Sequence, residues 1–119
     1  METVHVFIST GRFSSFEEMR AYIDKSYTED GEGIDSPFLI ETGLENYDPM
    51  CIESVSSETG KPVPIATLLL GASWLGQWLP QFDGKRLADA AICVFLPNTL
   101  EHPEGCSLEY LGKANFEIR

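Results

Sequence analysis

The 119-residue chain is poor in basic residues, in histidine and in cysteines that could pair. Eight Lys and Arg stand against 19 Asp and Glu, a net charge of −11. There is no basic patch with interleaved aromatics, so nucleic acid and anionic membranes are disfavoured as partners. The three cysteines (Cys51, Cys93, Cys106) are odd in number and form no CxxC pair. That argues against both a disulfide framework and a zinc knuckle. Cys51 and Cys93 lie in apolar, strand-like runs and read as small core residues. His5 and His102 have no metal-ligand spacing, and no metal or cofactor is expected. The longest apolar runs, IATLLLGA and AAICVFL, are far too short to span a membrane. METVHVFIST has neither a basic n-region nor a small-residue cleavage site, so a cytoplasmic protein is expected. GRFSSF has one glycine and no lysine, which matches neither a P-loop nor a dinucleotide fingerprint.

What is present is enough for one core. The apolar fraction is 43% and β-branched and aromatic residues are well represented, which fits a single domain over 1–119. The acidic excess is concentrated. Between Glu17 and Glu58 there are twelve acidic and two basic residues, leaving seven acidic and six basic in the remainder. Such a field serves solubility, and it also attracts basic proteins.

Periodicity divides the chain into eight elements. VHVFIST (4–10) alternates and reads as a strand. The capping box from Ser15 to Glu18 opens a helix to about Lys25, with Phe16, Met19, Tyr22 and Ile23 on one side. Ser36-Pro37 is an N-cap followed by proline at the first helical position, and Gly43 is the matching C-terminal glycine. MCIESV (50–55) reads as a strand more buried than the first. Ile65 to Gln81 follows a helical pattern in two pieces, with Ser73 as cap of the second and Trp74 and Trp78 on one face. ADAAICVFLP (88–97) hardly alternates and reads as a strand buried on both faces. SLEYLGKANFEI (107–118) closes the chain as a strand, with a bulge or bend at Gly112. The order β-α-α-β-α-α-β-β predicts an α+β domain, a mixed or antiparallel sheet with helices packed on a face.

The stretch TEDGEGIDS (28–36) holds Glu29, Asp30, Glu32 and Asp35 among two glycines. An EF-hand needs oxygen ligands at positions 1, 3 and 5, glycine at 6 and glutamate at 12. With Gly31 at position 6 the twelfth residue is Pro37, and with Gly33 it is Leu39, so both registers fail. General acid–base work needs a carboxyl shifted by burial or by a like charge, which an exposed glycine-rich loop does not supply. In WLGQW, the plain reading packs both tryptophans onto the sheet, and the alternative leaves one exposed as an interface anchor.

VHVFISTGRFSSFEEMRAYID, YTEDGEGIDSPF, the short GL and CIE segments and GASWLGQWL together resemble the immunity protein 22 family of bacterial polymorphic toxin systems. The resemblance implies a toxin inhibitor, a small protein that binds and neutralises a cognate toxin, and it supplies no catalytic residues. Combined with the charge, it points to a basic toxin, such as a nuclease. The candidate contact surface is Glu29, Asp30, Glu32 and Asp35, with Asp24, Glu41, Glu45 and Asp48 as neighbours. The competing readings are a generic acidic protein-interaction domain and a small thiol- or carboxylate-dependent enzyme.

Overall fold

The computed structural model describes residues 2–117. The ends of the 1–119 domain reading, and Ile118 of the strand expected over 107–118, therefore lie outside the described residues. In chain order the elements are β1 (Glu2–Ser9), α1 (Phe16–Ile23), β2 (Ser26–Tyr27), β3 (Gly33–Ile34), α2 (Pro37–Thr42), β4 (Leu44–Glu45), β5 (Ile52–Ser56), β6 (Val63–Pro64), α3 (Ile65–Leu68), α4 (Leu75–Trp78), β7 (Leu87–Ala88), β8 (Ala90–Phe95), β9 (Thr99–Leu100) and β10 (Glu109–Phe116). Short 3-10 turns occupy Pro49–Cys51, Leu79–Gln81 and Pro103–Gly105. The six two-residue strands form three small ladders that periodicity does not reveal, because a pair so short carries no alternation.

The fold is α+β. β10, β1, β8 and β5 form one antiparallel sheet in that order. All six residues of β8 are buried, as its lack of alternation predicts. The reason is that helices cover both faces. On one face Phe7, Ile92 and Val94 pack against Met19 and Ile23 of α1 and Phe38 and Leu39 of α2. On the other, Val4, Val6, Cys93 and Phe116 pack against Ile65 and Leu68 of α3 and Trp78 of α4. No helix among the described residues is long and apolar enough to cross a membrane.

The caps behave largely as expected. The Ser15 hydroxyl accepts from the Glu18 amide at 3.1 Å. Glu18 reaches back one residue further than a capping box requires, accepting from the Ser14 amide at 3.0 Å. α1 ends at Ile23, two residues early, where Asp24 turns extended. Phe16 does not join the buried face of α1 and is 49% exposed. In α2 the Ser36 hydroxyl accepts from the Leu39 amide, and Gly43 is left-handed at φ 62°. A Cβ there would also lie 3.1 Å from Cβ of Glu101.

Several further expectations change. The strand read over 50–55 begins only at Ile52, because Asp48 caps a 3-10 turn that takes up Pro49–Cys51. It is less buried than β1, not more, since it lies at the sheet edge. Cys51 is accordingly only partly buried, whereas Cys93 is in the core. Ile65–Gln81 forms two single-turn helices, not a longer helical run. Ser73 does not cap the second. Its amide and hydroxyl both donate to Glu53, at 3.0 and 2.6 Å, and Trp74 at φ 55° occupies the cap position. The two tryptophans consequently part company. Trp78 is fully buried with Nε1 donating to Ser73 O at 2.8 Å, while Trp74 is 40% exposed and stacks on Phe116.

At Gly112 the ladder does bulge. Val6 pairs with Gly112 and Phe7 with Tyr110, so Leu111 is the extra residue. Trp78 closes the α3–α4 side of the core. Trp78→Ala is expected to lower unfolding stability by about 3–5 kcal/mol in urea titration, through lost burial and the cavity left behind.

Candidate functional site

TEDGEGIDS is the tip and return strand of a hairpin. Ser26 pairs with Ile34 and Tyr27 with Gly33. The Gly31 amide closes a turn on Thr28 O at 2.9 Å, the Thr28 amide donates to Glu32 O at 2.9 Å, and the Thr28 hydroxyl accepts from the Glu32 amide at 3.1 Å. Glu29 and Asp30 are therefore the central turn residues, and both side chains face solvent with Glu32. Asp35 sits at the base, 3.6 Å from Lys25 Nζ. Lys25 lies across the hairpin so closely that a Cβ on Gly33 would be 2.5 Å from its Cε. The arm also carries two exposed apolar side chains, Tyr27 at 64% and Ile34 at 50%. Sequence reasoning passed over both. Their signal was an aromatic and a β-branched residue in an otherwise polar loop, the composition of an interface core set in a charged rim.

The other four acidic residues are placed differently. Asp24 makes a two-pronged ion pair with Arg20, at 2.6 and 3.1 Å, immediately before the hairpin. Glu41 accepts from the Tyr22 hydroxyl at 2.6 Å and the Ser107 amide at 3.1 Å, tying α2 to α1 and to the segment before β10. Burial, and then the Glu41 carboxylate, push the Tyr22 hydroxyl pKa well up. Asp48 accepts from the Met50 amide at 3.0 Å. Its own backbone is held from both sides by buried Asn98, whose Oδ1 accepts from Asp48 N at 2.8 Å and whose Nδ2 donates to Asp48 O at 3.0 Å. Glu45 faces another carboxylate, Glu101, brought beside it by the β4–β9 ladder. Their shared hydrogen bond and mutual repulsion raise the Glu45 pKa. The eight candidates thus divide into an exposed arm (Glu29, Asp30, Glu32 and Asp35, adjoined by Asp24), an acid pair at Glu45, and two residues, Glu41 and Asp48, that bond internally.

The thiols point away from nucleophilic chemistry. Burial raises the pKa of Cys51, Cys93 and Cys106, which lowers the thiolate fraction. The cavities lined by Cys93 and by Cys51 have no histidine in their walls. His5 Nδ1 instead meets the Tyr110 hydroxyl at 2.8 Å, and burial lowers its pKa. His102 is exposed beside Glu101 at 3.9 Å. Among the described residues, no group of three His, Cys, Asp or Glu side chains could hold a metal ion.

A family model described as Immunity protein 22 matches residues 6–117. No curated protein and no solved structure matches the chain.

The Glu45–Glu101 pair has a pH signature. A carboxyl whose pKa is raised on folding binds its proton more tightly in the folded state, so it favours folding at low pH, and that contribution is lost as pH rises through the folded pKa. Glu101→Gln removes the repulsion. It is expected to raise the melting temperature by roughly 1–2 °C near neutral pH. The gain should vanish below the ordinary glutamate value of 4.5, as followed by thermal melts across pH.

Proposed function

This chain belongs to the Immunity protein 22 family, and we propose that it acts in the bacterial cytoplasm by binding and neutralising a cognate toxin domain, without catalysis of its own. The observation that carries the contact surface is the hairpin arm. Glu29, Asp30 and Glu32 point outward from a turn held by backbone bonds, and Lys25 offsets only Asp35. Anchored in this way, the backbone that carries the three carboxylates needs little further ordering on binding. The arm lies within the segment that holds nearly all of the net charge. Glu45 adds an exposed carboxylate outside the arm, whereas Asp24 is engaged by Arg20, Glu41 by Tyr22 and Ser107, and Asp48 by the Met50 amide.

A basic toxin fits this arm. A nuclease cleft is built to bind phosphates, and carboxylates on a projecting turn can occupy it in their place. Charge of this kind acts first on the encounter rate. The role is tested by co-expressing the chain with the product of the adjacent gene, then assaying co-purification and rescue from toxicity. An adjacent gene product that is not toxic, or that is not neutralised, would overturn the role. For the surface, Glu29→Lys, Asp30→Lys, Glu32→Lys and Asp35→Lys together are expected to slow association about tenfold or more at low salt and to flatten its salt dependence. An unchanged on-rate and salt slope in stopped-flow would move the contact elsewhere.

A further inference from the structure

The two edges of the main sheet are treated in opposite ways. The β10 edge is closed. Gln81 pairs with the Asn115 backbone through both ends of its amide, Nε2 donating to Asn115 O at 2.8 Å and Oε1 accepting from Asn115 N at 3.3 Å. Gln77 Oε1 accepts from the Glu117 amide at 3.0 Å. The strand also bulges and carries Lys113, two further devices that discourage edge pairing. The β5 edge has none of these. Its sequence IESVS contains no Lys or Pro, and its register with β8 is unbroken.

The backbone groups on that edge can be identified. Ser57 N–H donates to Asp89 O at 2.8 Å, continuing the β5–β8 ladder. Alternation in an antiparallel ladder then turns Glu53 and Val55 toward β8 and Ile52, Ser54 and Ser56 outward. The Ile52 amide agrees, since it bonds Pro49 O on the outer side. Ser54 and Ser56 are left with outward N–H and C=O groups that no other group among the described residues pairs.

The edge lies at the floor of a slot between the two helical layers. A cavity of about 450 Å³ is walled by Phe16 and Arg20 of α1 on one side and by Leu68, Leu69 and Ala72 on the other. A second, of about 470 Å³, shares Val55 and Leu68 with the first and runs on past Ser56 to Leu70. Phe16 and Leu70 are exposed at 49% and 75%. Glu53 lines the first cavity and Glu58 the second, while the one cation there, Arg20, is already bound to Asp24 and Ser54.

We propose that the open edge of β5 accepts an extended basic strand of a partner protein, which adds a fifth strand to the sheet. On the reading given above, that partner is the toxin. Main-chain bonds to Ser54 and Ser56 supply the attachment, and the apolar walls receive alternate side chains. Charge selects the occupant. Lys or Arg on the added strand faces Glu53 and Glu58, whereas a second copy of this chain brings another net charge of −11 and sets those carboxylates against their own kind. The slot lies along the side of α1 that bears Phe16 and Arg20.

The probe is a capped peptide of alternating Lys and Val, with its Glu–Val counterpart as control. The Lys–Val peptide is expected to protect the Ser54 and Ser56 amides from hydrogen exchange and to bind about tenfold or more tightly than the control. Two variants test the geometry. Ser56→Pro removes an outward N–H and breaks no inner ladder bond. Gly71→Trp fills the slot from a position where an added Cβ meets open space. Each is expected to weaken the peptide about tenfold or more while circular dichroism and melting stay as in the parent. Unchanged affinity in both variants, or no protection at Ser54 and Ser56, would overturn the proposal. So would a dimer in sedimentation that Ser56→Pro abolishes. The adjacent gene product separates the two levels. If it binds both variants as tightly as the parent, the edge is not its site, and the immunity role stands. If it neither binds nor is neutralised while the peptide still occupies the edge, the immunity role fails and the edge stands.

Discussion

β8 is a strand with no solvent face. Ala90 to Phe95 are all buried, and Ile92, Val94 and Phe95 each contribute roughly 1.5–3 kcal/mol by leaving water. That stabilisation is available only if both faces of the sheet are covered, and the rest of the chain is arranged to meet this condition. α1 and α2 cover one side and α3 and α4 the other, with β1 and β5 completing the ladder on either flank. The constraint also explains how helices as short as four residues persist. They are far below the length at which a helix is stable in water, so packing against the sheet holds them.

How much of this could be read from the residues depended on whether the signal was local. The Ser15 cap, the Ser36-Pro37 start and the Gly43 stop are each set by chemistry within one turn of chain, and each appears where the residues indicate. β8 was legible because burial on both faces erases alternation. Ile65–Gln81 misled because its apolar residues suit a helix, while Glu53, distant in sequence, takes the Ser73 amide and hydroxyl and Trp74 turns left-handed at the junction. Position in the sheet was beyond reach. IESV looks like a core strand, and nothing within it reports that, among the described residues, no strand follows β5 on its outer side.

The candidate surface shows the same division. A count of carboxylates cannot separate those that face outward from those that hold the fold. Glu29 and Glu41 look alike in sequence, yet the first lies at a hairpin tip and the second joins Tyr22 to Ser107. Glu45 gained its neighbour Glu101 only through a two-residue ladder spanning more than fifty positions. The structure therefore sorts the acidic segment into a projecting arm, a strained pair and an inner scaffold. It also adds an open sheet edge for which composition held no sign.

Asn98 has a consequence for how the protein ages. Its amide stands in for a strand, offering one acceptor and one donor to Asp48, with a second bond from Nδ2 to Phe95 O at 3.1 Å. Deamidation would replace that donor with a carboxylate oxygen facing two carbonyls at a buried position. This side chain ties the Asp48 loop, just ahead of β5, to the turn that follows β8. A single slow chemical event, with no change in the gene, would weaken that tie.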